Sequence, residues 1–195
     1  MQQLKKIVAI GPESTGKSTL CEMLAAHYNT LWCPEYAREY LLKHGTNYSF
    51  NDLETIARGQ VRIEETFSLK MSTVNRQPLT DYGQRSTVNG QLLFIDTDMY
   101  VMKVWCEYVF GKCHHFILEE IAARKYDLYL LCNTDLPWVA DELREYPNEK
   151  NRIELFHIYK DILSQQDTPW VEIKGNNEQR FAMAAEAIER LFITQ

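Results

Sequence analysis

An α/β fold is what this sequence predicts: about five parallel strands flanked by helices on both faces, in a three-layer α/β/α arrangement. Three observations carry it. Short apolar runs recur along the chain, among them Leu4 to Ile10 and Leu92 to Ile95, and they have the length of buried strands rather than helices. Stretches with apolar residues at helical spacing separate them, so successive strands need crossover connections and pair in parallel. Chemically suggestive residues follow directly after the runs, where open parallel sheets bind ligands.

Each element can be justified in turn. After the first strand, a Gly-containing turn leads to a helix with Leu20, Met23, Leu24 and His27 on one face. Thr30 to Cys33 reads as a second short strand stopped by Pro34, and Glu35 to His44 as a helix ended by Gly45. Asn51 with Glu54 three residues later resembles a capping box. It would open a helix lined inside by Leu53, Ile56, Ala57, Ile63 and Phe67. From about Met71 to Asn89 the periodicity disappears, and the span of roughly residues 70–90 is expected to be a mobile loop. Leu92 to Ile95 is the third strand, followed by a helix with Val101, Met102, Trp105, Tyr108 and Val109 on one face. Asp127 to Cys132 and Thr168 to Ile173 give the fourth and fifth strands. Between them lie a polar stretch from Leu136 to Arg152, expected to act as a lid, and a helix facing inward through Leu155, Ile158, Tyr159 and Ile162. Asn176 with Gln179 forms another capping-box pattern, opening a last helix with Phe181, Ala185, Ile188 and Phe192 inward.

The 195 residues fit one domain spanning 1–195, with no internal repeat or linker. An apolar share of 45% and a charged share of 25% are those of a folded globular chain. The formal charge of −6 argues against a nucleic-acid footprint, which would cluster Lys and Arg. Five cysteines, an odd number without a C-x-x-C pair, read as reduced packing residues. Cys113-His114-His115 lacks a second ligand pair at metal spacing. Lys5 and Lys6 precede an apolar run too short for a signal peptide, and no stretch has membrane-spanning length. A cytoplasmic location is therefore expected.

The sharpest signal is Gly11-Pro12-Glu13-Ser14-Thr15-Gly16-Lys17-Ser18, a complete G-x-x-x-x-G-K-S/T loop placed between a strand and a helix. Glycines let the backbone curl so that the N–H groups of Glu13, Ser14, Thr15 and their neighbours through Thr19 point at phosphate oxygens. The helix that follows adds its positive dipole end. Lys17 supplies a mobile charge for the β- and γ-phosphates, and the Ser18 hydroxyl reaches Mg²⁺. The fold expected is thus that of a P-loop NTPase, with ATP and Mg²⁺ as cofactors.

Other residues extend the site. Asp96, closing the apolar strand Leu92-Leu93-Phe94-Ile95, is either a magnesium ligand or a helix cap, and the P-loop favours the metal role. Asp98 is either a cap or a substrate contact. Glu35 and Arg38 stand one helical turn apart after the second strand. Either they serve an acceptor hydroxyl, as base and clamp, or they form a surface ion pair. Arg144 and Arg152 either stabilise the transferring phosphoryl group or belong to a solvated charged loop, since Glu142, Glu145 and Glu149 are interleaved. Trp138 either stacks on an aromatic substrate or anchors the lid.

G-P-E-S-T-G-K-S-T-L, P-E-Y-A-R-E-Y-L, I-A-R-G-Q, F-I-D-T-D and Y-D-L-Y-L-L-C-N-T-D-L-P-W-V-A-D-E-L-R resemble the ribosylnicotinamide kinase domain of the bacterial bifunctional NAD salvage protein, in order from Ile7 to about Ala185. The resemblance implies transfer of the ATP γ-phosphate to the 5′-hydroxyl of nicotinamide riboside. It makes Glu35 the preferred base and Asp96 chiefly a metal ligand. It also maps lid arginines onto Arg144 and Arg152, and puts the loop from Gly175 to Arg180 near adenine. A nucleoside and ATP are then the expected partners, nucleic acid and membrane are not, and a homo-oligomer is left open. With the P-loop beginning at Gly11, the nucleotidyltransferase and helix-turn-helix segments that precede the kinase in that protein are not expected here. Glu145-Tyr146-Pro147-Asn148-Glu149 also departs from the Gly- and Arg-richer lids of that family. The rival readings are a kinase for another nucleoside or small alcohol, and a regulatory ATPase or switch protein.

Overall fold

The computed structural model describes residues 3–74, 91–143 and 148–192. Five strands form one parallel sheet: β1 (Leu4–Ile10), β2 (Leu31–Cys33), β3 (Gln91–Asp96), β4 (Leu128–Cys132) and β5 (Trp170–Ile173), in the order β2-β3-β1-β4-β5. The helices between and beside them are α1 (Lys17–His27), α2 (Tyr36–His44), α3 (Phe50–Val74), α4 (Met99–Phe110), α5 (His115–Ala123), α6 (Glu149–Ser164) and α7 (Asn177–Phe192).

Side chains alternate across the sheet, so each strand feeds two cores. Ile7 and Ala9 of β1 join Leu92, Phe94, Leu128 and Leu130 on one face, under α1 and α7. Val8 and Ile10 join Leu93, Ile95, Tyr129 and Leu131 on the other, under α3, α4 and α6. Burial on both faces is why these strands read as unbroken apolar runs. A third cluster, built on Leu53, Ile56 and Ala57 of α3 with Met99, Met102 and Cys106 of α4 and Ile117 of α5, joins the helices of the second face to one another.

Several boundaries differ from expectation for local reasons. The cap of α3 is Ser49, not Asn51: its N–H and hydroxyl both donate to the Asp52 carboxylate at 2.7 Å. The same helix runs to Val74, and Met71 is buried against the sheet, so the expected loop cannot begin at Met71. Its remainder, 75–90, lies outside the described residues. Helix α5 gave no periodic signal because it has nine residues and only Ile117 fully inside. Val109 is exposed, and the inner face of α4 is carried by Val101, Met102, Val104 and Cys106. On α1, Cys21 and Ala25 take the inward places expected of Met23 and His27. The box before α7 forms as read: the Asn176 N–H donates to Gln179 Oε1 at 3.0 Å, and the Gln179 N–H to Asn176 Oδ1 at 2.9 Å. His114 stacks on the Phe50 ring at 3.6 Å between centroids and faces Glu54, a packing role. Among the described residues no helix is long and apolar enough to cross a membrane.

Candidate active site

Strand order places the site. β3 lies beside β1 with Ala9 level with Asp96, and β2 lies beside β3 with Cys33 level with Ile95. The P-loop leaving β1, Asp96 ending β3 and Glu35 just past β2 are therefore neighbours at one sheet edge. They line a cleft of about 520 Å³ together with Arg38 and residues of α4 and α6.

The loop is shaped by contacts a side chain would obstruct. A Cβ at Gly11, whose φ is 141°, would lie 2.7 Å from the Cys132 carbonyl oxygen of β4, so only glycine allows the chain to turn there. The buried Thr15 hydroxyl donates to the Pro12 carbonyl at 2.7 Å, and Lys17 Nζ donates to the same oxygen at 2.8 Å. Gly16, at φ 76°, opens α1 without a side-chain cap, which leaves the first N–H groups of the helix available to an anion.

Asp96 is 1% exposed. Its Oδ2 accepts from the Ser18 hydroxyl at 2.5 Å, and its Oδ1 is buried with no hydrogen-bond partner among the described residues. A buried carboxylate oxygen without a partner is costly. Here it stands beside a serine hydroxyl at the mouth of a phosphate loop, an oxygen donor set that fits Mg²⁺. Burial raises the Asp96 carboxyl above the usual range, opposed by the Lys17 charge and the Ser18 hydrogen bond. Glu35 is raised as well, by burial first and the Asp96 charge second, with Lys17, the Thr97 hydroxyl and Arg38 pulling the other way. Both acids line the one cleft, and the Lys17 charge acts on each of them.

An aromatic part of the cleft lining was missed in the sequence. Trp105 and Tyr108 of α4 and Tyr159 of α6 line the cleft with Val101, Val104 and Leu155. Their spacing is that of core residues. Two of the three aromatics hold a polar head on a partner: Trp105 Nε1 donates to the Tyr48 hydroxyl at 2.8 Å, and the Tyr108 hydroxyl donates to Glu154 at 3.1 Å. Arg38 does not pair with Glu35. It lines the cleft at 52% side-chain exposure and forms a 3.0 Å ion pair with Asp141 from the segment after β4.

A family model described as AAA domain (AAA_28) matches residues 6–180. The chain belongs to this AAA domain family. Within it, the chain is homologous to part of the trifunctional NAD biosynthesis/regulator protein NadR. The Escherichia coli K12 and Salmonella typhimurium LT2 proteins are each 26% identical over 193 residues, which is 96% of this chain and 43% of theirs. The chain thus spans less than half the length of these relatives. Among solved structures, a NadR protein in complex with NR aligns with a TM-score of 0.71 at 21% identity, over 98% of this chain and 52% of that one. Thymidylate kinase from Ehrlichia chaffeensis aligns with a TM-score of 0.63 at 13% identity, over 94% of this chain and 98% of that one. These structural likenesses show a shared fold.

In this AAA domain several residues expected at the ligand hold the loops of the protein together. Arg180, 2% exposed, donates to the carbonyls of Gly175, Thr15 and Asn133 at 2.7–2.9 Å and pairs with Asp135. Gly175 donates its N–H to Asp135 Oδ2 at 2.6 Å. Neither Gly175 nor Arg180 lines the cleft. Together they tie the loops after β4 and β5 to the back of the P-loop. Arg152 is not on a mobile segment. It lies in α6, 3% exposed, with Nη2 within 3.3–3.4 Å of the Ser14, Thr134 and Leu136 carbonyls. The start of the expected lid is docked too, the Val139 N–H donating to Ser14 Oγ at 3.1 Å. Asp98 is the cap of α4, its carboxylate accepting from the Tyr100 and Val101 N–H groups and from the Tyr129 hydroxyl. Burial pushes that carboxyl up to about 7. Neither Asp98 nor Trp138 lines the cleft, and Arg144 lies outside the described residues.

Arg180→Met is accordingly expected to act on stability. Stripping a buried cation from three carbonyls and a part-exposed carboxylate should cost about 3 kcal/mol, lowering Tm by roughly 6–12 °C. The Michaelis constant for ATP should change little once the variant is folded. Calorimetry alongside kinetics below the transition checks both halves.

Proposed function

We propose that the chain is an ATP-dependent kinase that transfers the γ-phosphate to the 5′-hydroxyl of nicotinamide riboside, giving nicotinamide mononucleotide. The observation that carries this reading is the second wall of the cleft. Glu35, Arg38 and three aromatic side chains line the same cavity as the P-loop, and a pure nucleotide switch has no need of such a wall. The homologous NadR proteins support the acceptor. One solved NadR structure holds NR, and another, which aligns with a TM-score of 0.64, holds NAD and AMP-PNP.

In this reading the P-loop N–H groups and the start of α1 hold the β- and γ-phosphates. Lys17 exchanges the Pro12 carbonyl for phosphate oxygens. Ser18 and Asp96 would hold Mg²⁺, which neutralises charge on the phosphate oxygens when bound. Trp105, Tyr108 and Tyr159 offer flat apolar surface to an aromatic base, and Arg38 offers a clamp for ribose hydroxyls. Glu35 orients the 5′-hydroxyl and receives its proton as the O5′–P bond forms and the bond from phosphorus to the bridging oxygen of ADP breaks.

The test is a panel of nucleosides with ATP and Mg²⁺, following ADP and phosphorylated product together, and thermal melting with each nucleoside. Nicotinamide riboside should give stoichiometric product. It should also stabilise the protein by about 2.7 kcal/mol at a hundredfold excess over its Kd. Product from another nucleoside alone would transfer the assignment to that acceptor. ADP without any phosphorylated nucleoside would favour a regulatory ATPase.

A further inference from the structure

The I-A-R-G-Q segment of α3 does not line the cleft, and nothing in the mechanism above uses it. Its Gln60 is 1% exposed, in the middle of a 25-residue helix. A glutamine buried that completely must place both ends of its amide. Oε1 accepts from the Tyr36 N–H at 2.7 Å. Nε2 lies 3.4 Å from the Pro34 carbonyl, 3.4 Å from the Asp96 carbonyl and 3.1 Å from the Thr97 carbonyl. One amide therefore joins two turns that are far apart in sequence. Pro34 and Tyr36 flank Glu35 on either side, and Asp96 and Thr97 are the end of β3 and the residue after it.

Two neighbouring facts point the same way. A Cβ at Gly59 would fall 2.0 Å from the Tyr36 ring, so that ring lies against bare helix backbone beside Gln60, and any larger residue would push the start of α2 away. Thr97 sits at φ 77°, a left-handed conformation that a β-branched residue adopts only when its surroundings hold it. The nearest of the Gln60 amide's carbonyl contacts is with that residue.

We propose that Gln60 is a positioning residue that sets the spacing between the acceptor-side acid Glu35 and the metal-side acid Asp96. The chemistry requires an amide. Only a group with a donor and an acceptor at the same end can take an N–H from one turn and serve carbonyls of both. Glutamate in its ionised form brings acceptors alone to three carbonyl oxygens, and methionine brings no strong donor or acceptor. The inference rests on the phosphotransfer reading for its kinetic readout.

The experiment is a double-mutant cycle. Gln60→Met and Gln60→Glu are each made alone and in the Glu35→Gln background, with turnover measured on whichever acceptor the wild-type protein phosphorylates, water included. Gln60→Glu keeps the shape of the side chain and the Tyr36 hydrogen bond, so it serves if Gln60→Met fails to fold. Each Gln60 variant should lower kcat by about tenfold or more, with AMP-PNP affinity within about threefold of wild type. In the Glu35→Gln background either should cost no more than about threefold further, since groups that act as a unit are non-additive. A double variant that loses the product of the two single effects would overturn the proposal, as would Gln60→Glu turning over like wild type. A role in stability alone lowers Tm and leaves the two substitutions independent. Wild-type activity on nicotinamide riboside decides the proposed acceptor separately, so the two ideas fail in different measurements.

Discussion

Lys17→Ala should reduce phosphotransfer by about 10³-fold or more while leaving the fold intact. Among the described residues lining the cleft, the other cation is Arg38, and it is paired with Asp141. Removing one preorganised donor aimed at developing charge typically costs 10²–10³, and a positive charge on the transferring phosphoryl group is worth more than a neutral donor. The loop itself should survive. Its shape rests on Gly11 against β4, on the Thr15 hydroxyl and on the arginine braces behind it. The Lys17 hydrogen bond to the Pro12 carbonyl is only part-buried, so losing it should cost about 1 kcal/mol, or roughly 2–4 °C in Tm. Turnover and thermal melting measured side by side check this. Near-normal turnover would remove the P-loop from the mechanism.

Glu35→Gln and Asp96→Asn should fail differently. Glu35 lines the cleft, and its amide keeps size and hydrogen bonding while losing the capacity to draw a proton. Turnover should fall within the range of about 10²–10⁴ that a lost acid–base group costs, towards the lower end because a loose transition state asks little of a base. ATP affinity and the Mg²⁺ requirement should hardly change. Asp96 carries the unpartnered buried oxygen beside Ser18. Its amide should weaken the magnesium site, so that activity is lost at low Mg²⁺ and partly recovered as Mg²⁺ is raised. Steady-state kinetics of both variants across a magnesium series separates the roles. Rescue of Glu35→Gln but not Asp96→Asn would reverse the assignment.

The parallel α/β architecture and the phosphate loop were legible in the chain because both are local. Strands buried on two faces must be apolar throughout, helices must repeat an apolar face, and a phosphate loop needs its glycines, lysine and serine at one spacing. Residues whose meaning depends on a distant partner were not. Arg152 reads as a lid cation for phosphate and Arg180 as a neighbour of adenine, yet each also holds carbonyls of loops that reach it only after folding. Trp105, Tyr108 and Tyr159 share the spacing of core residues, and only the gap between α4, α6 and the sheet turns them into a wall. Asp98 could have faced substrate until the Tyr129 hydroxyl and the first turn of α4 took its oxygens. A sequence states which groups can donate, accept or carry charge, whereas tertiary structure decides which of them find partners inside the protein and which are left facing the cleft.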